Sequence, residues 1–165
     1  MDVGCYCINF SRLFAGAEPV KVQAVGHVRP GGVDDVVAGT IQFANGVLAS
    51  FTCGMDVHVD NSAYVCGTEG YIVVPVPWKP PSKRAEFVIA RSTPPRMDLG
   101  KGNLPPPRES RFVDAPYELY GLEAGDFAAT VLDGKAPAVS EADTLGNMAV
   151  LDAMREQIGV RWDGD

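Results

Sequence analysis

The chain has 165 residues, a formal net charge of −7 and no basic run. That excludes nucleic-acid binding built on Lys/Arg neutralising phosphates, and a polybasic membrane anchor. A chain of this length buries about 68–70% of its unfolded surface, so a single domain over 1–165 needs no disulfide or metal to hold it. No apolar run approaches the roughly 20 residues of a membrane-spanning helix, and the start lacks the basic segment of a signal peptide, which reads as soluble and cytoplasmic.

Residues 3–14 read as a helix, with Val3, Cys7, Phe10 and Phe14 as an apolar stripe of helical period and Gly16 as the stop. Asp2, Tyr6, Asn9 and Leu13 form the adjacent stripe, which puts Asp2 and Tyr6 one turn apart. Residues 20–28, VKVQAVGHV, alternate as a strand. Residues 36–43 and 47–53 flank Asn45-Gly46, a strong hairpin signal. Val37, Ile41 and Phe43 share one face, opposite Thr40 and Gln42. Across the turn Val47, Ala49, Phe51 and Cys53 share a face, opposite Ser50 and Thr52. A second strand pair is predicted at 62–67 and 71–75, around Thr68-Glu69-Gly70. Two further strands are predicted at 85–91 and 110–114. Proline-rich stretches, PVPWKPP at 75–81 and a long run at 93–110, read as surface loops.

The chain ends in helices. One covers 118–133, with Leu119, Leu122, Val131 and Leu132, and Gly134 closes it. The next starts at Ser140 with Asp143 in a capping-box-like position, carries Leu145, Met148, Leu151 or Asp152, Met154 and Ile158 as its stripe, and ends at Gly159. Helix, five to seven mostly antiparallel strands, then two helices is an α+β order: an open sheet with helices packed on one face. The other face is left for solvent or another molecule, and Val36, Ala38 and Leu48 among its polar residues leave room for a sheet-face dimer.

Cys5, Cys7, Cys53 and Cys66 contain no C-x-x-C pair, and His27 and His58 lie outside any zinc-like spacing. They read as reduced, mostly buried thiols and no metal site. Asp2 and Tyr6 admit two readings. In one, Asp2 caps the helix and Tyr6 is half-buried. In the other, the phenol exchanges a proton with an alcohol, assisted by a nearby cation, while the carboxylate orients a substrate hydroxyl. No nucleophile elbow, no P-loop and no G-x-G-x-x-G after a strand occurs, so the chain has no dinucleotide site of its own.

DVGCYCIN at 2–9, DDVVAGTIQFANGVLASFTC at 34–53, GTEGYIVV at 67–74 and YGLEAGDFAATVLDGKAPAVSEADTLGNMAVLDA at 120–153 resemble the C-terminal domain of Gfo/Idh/MocA oxidoreductases. The opening is similar to the branch with glucose–fructose oxidoreductase, dihydrodiol dehydrogenase and xylose dehydrogenase. The loop at 76–109 matches least. The resemblance implies NAD(P)-dependent hydride transfer on a sugar or small alcohol or diol, with NAD or NADP held mainly by an N-terminal Rossmann domain. No Rossmann domain lies in this chain, which on this reading is a fragment. The family's D-x-x-x-H/Y pair falls on Asp2 and Tyr6. The resemblance makes Tyr6 the proton donor or acceptor and Asp2 a substrate-orienting carboxylate, with Asn9 lining the site. It also implies a homodimer or higher homo-oligomer through the open sheet face. The family's cationic lysine, in E-K-P, belongs to the absent half, so the isolated chain is expected to be inactive. The alternative is a non-catalytic dimerisation or small-ligand-binding module. A hydrolase using bound NAD on the same scaffold is a third class, because fold alone does not fix reaction.

Overall fold

A computed structural model describes residues 1–91 and 106–161. Helix α1 (Gly4–Ala15) leads into seven strands: β1 (Pro19–Val28), β2 (Asp34–Phe43), β3 (Leu48–Gly54), β4 (Ala63–Gly67), β5 (Gly70–Val74), β6 (Ala85–Arg91) and β7 (Arg108–Val113). Helices α2 (Leu119–Asp133) and α3 (Glu141–Ile158) follow. The α+β class with open antiparallel sheet is as expected. Hydrogen bonding divides the strands into two sets, β1-β2-β3 and β4-β5-β6-β7, each antiparallel throughout. The chain forms two compact units, Met1–Val59 with Ala138–Asp165, and Asp60–Pro137. The expected loop at 93–110 falls mostly outside the described residues.

In the first unit the β2–β3 turn is local chemistry. Gly46 N–H donates to the Phe43 carbonyl and Phe43 N–H to the Val47 carbonyl, with Gly46 at φ 87°. Asn45 keeps a negative φ, so this is a type I turn followed by a left-handed glycine rather than the two-residue type I′ turn. The Asn45 amide also donates to the Ala15 carbonyl at 2.7 Å, satisfying an acceptor at the end of α1.

Helices α1 and α3 pack on one face of the β1–β3 sheet. Ile8 and Ala15 of α1, Ile41 and Phe43 of β2, and Val150 and Met154 of α3 form the core. Each large side chain buried there contributes about 1.5–3 kcal/mol. Gly39 sits in the middle of this face, where a Cβ would come within 2.6 Å of the Phe51 ring, so its missing side chain lets Phe51 lie across β2.

Two stripes differ from the sequence reading. The buried face of α1 is Gly4, Ile8, Arg12 and Ala15, rotated from Val3, Cys7, Phe10 and Phe14. Phe14 is half exposed and packs against Phe10 in a tilted arrangement, with 4.5 Å between ring centroids. In α3 Met154 is buried and Leu151 packs on the core as expected, but Val150 joins them while Leu145 and Met148 are exposed.

The opposite face of the sheet is open. Antiparallel register aligns Gln23 with Thr40 and Thr40 with Ser50, and Val25 with Ala38 and Ala38 with Thr52. These small and polar side chains line a shallow groove. The edge of β1 is closed by one residue of α3. Gln157 accepts from Ala24 N–H at 2.9 Å and donates to the Val22 carbonyl at 3.2 Å, as a neighbouring strand would.

In the second unit β4 and β5 join through the Thr68-Glu69 turn expected from sequence. The β6–β7 end is tied by Arg84 N–H donating to Asp114 Oδ1 at 2.7 Å and by the Arg84 guanidinium over the Phe112 ring at 4.3 Å. Helix α2 buries none of its residues. No helix of the described residues is long and apolar enough to cross a membrane.

Candidate active site

Asp2 lies in the turn before α1 and Tyr6 in the helix's first turn, both on the surface, with Tyr6 56% exposed. The N-cap of α1 is Val3, with no side-chain cap, so Asp2 does not have the capping role that sequence alone left open. Tyr6 and Asn9 are three residues apart on one helix and therefore neighbours on its surface. Asn9 is partly buried, because its amide donates to Asp143 Oδ2 at 3.1 Å across to α3.

Beneath this surface lies a charged cluster that the sequence reading missed. Arg12, only 5% exposed, donates from Nε and Nη2 to both carboxylate oxygens of Glu18 at 3.0 and 2.7 Å. Its Nη1 donates to the Asp143 carbonyl at 2.9 Å and to Asp143 Oδ1 at 2.8 Å. Such a fork fixes direction as well as distance. Asp143 takes these bonds at the third position of α3, where its own N–H is received by the N-cap hydroxyl of Ser140 at 3.1 Å. Only that half of the expected capping box is used, since the carboxylate turns toward α1. A third tie, Asn147 Nδ2 to the Cys5 carbonyl at 3.2 Å, anchors the turn that carries Tyr6. The two helices thus meet antiparallel: residues 5, 9 and 12 of α1 meet 147 and then 143 of α3.

The thiols around this turn are not poised as nucleophiles. Burial pushes Cys5 and Cys7 up from the ordinary thiol value and Cys53 up to about 11, so they stay protonated near neutrality. Only Cys53 is fully buried; Cys5 and Cys7 are intermediate and Cys66 is exposed, against the expectation of mostly buried thiols. Among the described residues no cluster could hold a metal ion.

Nor do these residues suit a dinucleotide pyrophosphate. A helix N-terminus receives phosphate through free N–H groups and a positive dipole end. Here α2 starts behind Glu118 and α3 carries Glu141 and Asp143 in its first turn, while α1 follows Asp2 and Val3 without a glycine-rich turn. Carboxylates at these ends repel a phosphate.

The fold can be set beside those of known proteins. Residues 1–73 match the GFO/IDH/MocA C-terminal domain. The trans-1,2-dihydrobenzene-1,2-diol dehydrogenases of Mus musculus and Homo sapiens are 32% and 31% identical, each over 100% of this chain and 47% of the relative. A 3-ketoreductase from Actinomadura kijaniata, solved with TDP-benzene and NADP, is 25% identical with a TM-score of 0.75, covering 95% of this chain and 46% of that one. The aldose-aldose oxidoreductase of Caulobacter crescentus shares the fold, with a TM-score of 0.72 at 22% identity over 93% of this chain and 43% of that one. The chain thus has the fold of the C-terminal domain of Gfo/Idh/MocA oxidoreductases, and its first 73 residues match that family. It spans about half the length of the relatives it matches.

Proposed function

We propose that this chain is the substrate-binding and oligomerisation half of an NAD(P)-dependent oxidoreductase acting on a small diol or sugar. The observation that carries this reading is an exposed Tyr6 in the first turn of α1, with an exposed Asp2 four residues earlier in the turn before it, within a chain alignable over its full length with diol dehydrogenases. The dinucleotide, bound by a preceding half, is the hydride carrier. This chain handles the hydroxyl: Asp2 accepts a hydrogen bond from one substrate hydroxyl, and the Tyr6 oxygen takes the proton of the hydroxyl being oxidised, or returns it in reduction. A cation from the other half favours the phenolate during that exchange. The open face of β1–β3 pairs with the same face of a second copy, its small side chains allowing close approach.

The test is to compare the 165-residue chain with the full-length oxidoreductase that carries it. The full-length protein is expected to oxidise trans-diols or aldoses with NAD(P), and the isolated chain to bind no NAD(P)H at micromolar concentration. Micromolar binding by the isolated chain contradicts this division of labour. A full-length protein inactive on every diol and aldose favours a non-catalytic ligand-binding or dimerisation module.

A further inference from the structure

The seam between α1 and α3 determines what Asn9 can offer a ligand. A carboxylate only accepts hydrogen bonds, so the contact between Asn9 and Asp143 Oδ2 at 3.1 Å must be made by the Asn9 NH2 group. Asp143 cannot turn away, because its other oxygen and its carbonyl are both held by the buried guanidinium of Arg12 at 2.8 and 2.9 Å. Arg12 is held in turn by the two Glu18 oxygens. The Asn9 amide is therefore fixed with NH2 toward α3 and its carbonyl oxygen turned the other way. Side chains on a helix lean toward its N-terminus, which sets Asn9 over the turn carrying Tyr6.

We propose that Asp143, locked by Arg12, is a positioning residue that makes Asn9 a hydrogen-bond acceptor for a substrate hydroxyl. This rests on the reading of Tyr6 and Asp2 as the site. With Asp2 also an acceptor, in the turn that precedes α1, the proposed site then offers two acceptors to a ligand at the phenol. It matches a ligand with a second hydroxyl next to the reacting one, and disfavours one with a carbonyl or ether oxygen at that place.

The test is steady-state kinetics of the full-length oxidoreductase with a vicinal diol, with circular dichroism on each variant. Asp143→Asn lets the Asn9 amide turn over, because an amide both donates and accepts; KM is expected to rise about tenfold with kcat within about threefold. Asn9→Asp alone sets two carboxylates against each other and raises KM to a similar extent. The double variant Asn9→Asp/Asp143→Asn again faces one donor with one acceptor and keeps an acceptor toward the substrate, so KM is expected to return to within about threefold of wild type. A purely structural role moves thermal stability and gives no such exchange rescue. An unchanged KM in Asp143→Asn, or no recovery in a folded double variant, overturns the proposal. Tyr6→Phe separates it from the reading beneath. A fully active Tyr6→Phe enzyme removes the site itself. An inactive one beside an unshifted Asp143→Asn removes only the positioning role.

Discussion

Arg12 reaches Asp143 across a gap that exists because residue 146 is glycine. A Cβ built on Gly146 would lie 2.4 Å from Arg12 Nη2 and 3.0 Å from its Cζ. Flexible side chains ordinarily move aside from such a contact, but this guanidinium is held from both sides, by Glu18 and by Asp143.

Two effects of Gly146→Ala therefore oppose each other. Alanine favours a helix interior by about 1 kcal/mol over glycine. Overpacking a fixed, buried group costs about 1–3 kcal/mol. The second is expected to win, so Gly146→Ala lowers unfolding free energy in denaturant titration. Stabilisation by the full helix-propensity gain would show that Arg12 is free to move.

The same cluster makes stability acid-sensitive. The hydrogen bond from Arg12 holds the Glu18 carboxyl below its ordinary value of 4.5. A depressed folded-state pKa stabilises the fold above the unfolded value, and that contribution is lost as pH falls through the folded one. The stability gap between wild type and Glu18→Gln is expected to be widest at neutral pH and to close below about pH 4.5. A gap of constant size through the acid range would detach Glu18 from the effect.

Gln157 stands in for a missing strand at the β1 edge. Gln157→Ala removes both of its bonds and is expected to cost about 1 kcal/mol, with faster hydrogen exchange at the Ala24 amide. An unchanged Ala24 exchange rate would mean that the edge is protected by something else.

The open sheet face has its own test. Thr40 sits at its centre, between Gln23 and Ser50. Thr40→Arg places an unpaired charge where the proposed second copy approaches, and is expected to convert a dimer of the full-length protein to monomer in sedimentation, with secondary structure unchanged. A retained dimer would move the interface to another surface.

How much of this was legible in sequence depends on how local each signal is. Asn45-Gly46, Gly16, Gly134, Ser140 and Gly159 act within a few residues of themselves, and the element boundaries they imply agree with the structure. The alternation of Val37, Ile41 and Phe43 gave the buried face of β2 because a strand has only two faces. The buried face of α1 was misread because a helix allows many faces and its aromatic residues drew the stripe toward themselves; on α3 the C-terminal half of the stripe, Leu151 and Met154, does face the core, and only Leu145 and Met148 do not. The true face of α1 includes Gly4 and Arg12, which periodicity counts as breaks. Arg12 itself was not legible: its partner Asp143 is 131 positions away, and no local pattern marks an arginine that will be buried. Asp2 and Tyr6 are candidates from the resemblance, which their spacing alone does not single out, and the structure adds that both are exposed.

The most direct measurement is kcat for NAD(P)-dependent diol oxidation by the full-length protein with Tyr6→Phe. That change removes one oxygen from an exposed ring and leaves the buried contacts of α1 in place. Loss of a general acid–base group costs about 10²–10⁴-fold, and a fall in kcat of that size with the thermal midpoint unchanged is the predicted result. A Tyr6→Phe enzyme with wild-type kcat would contradict it and take the proton-transfer role away from α1.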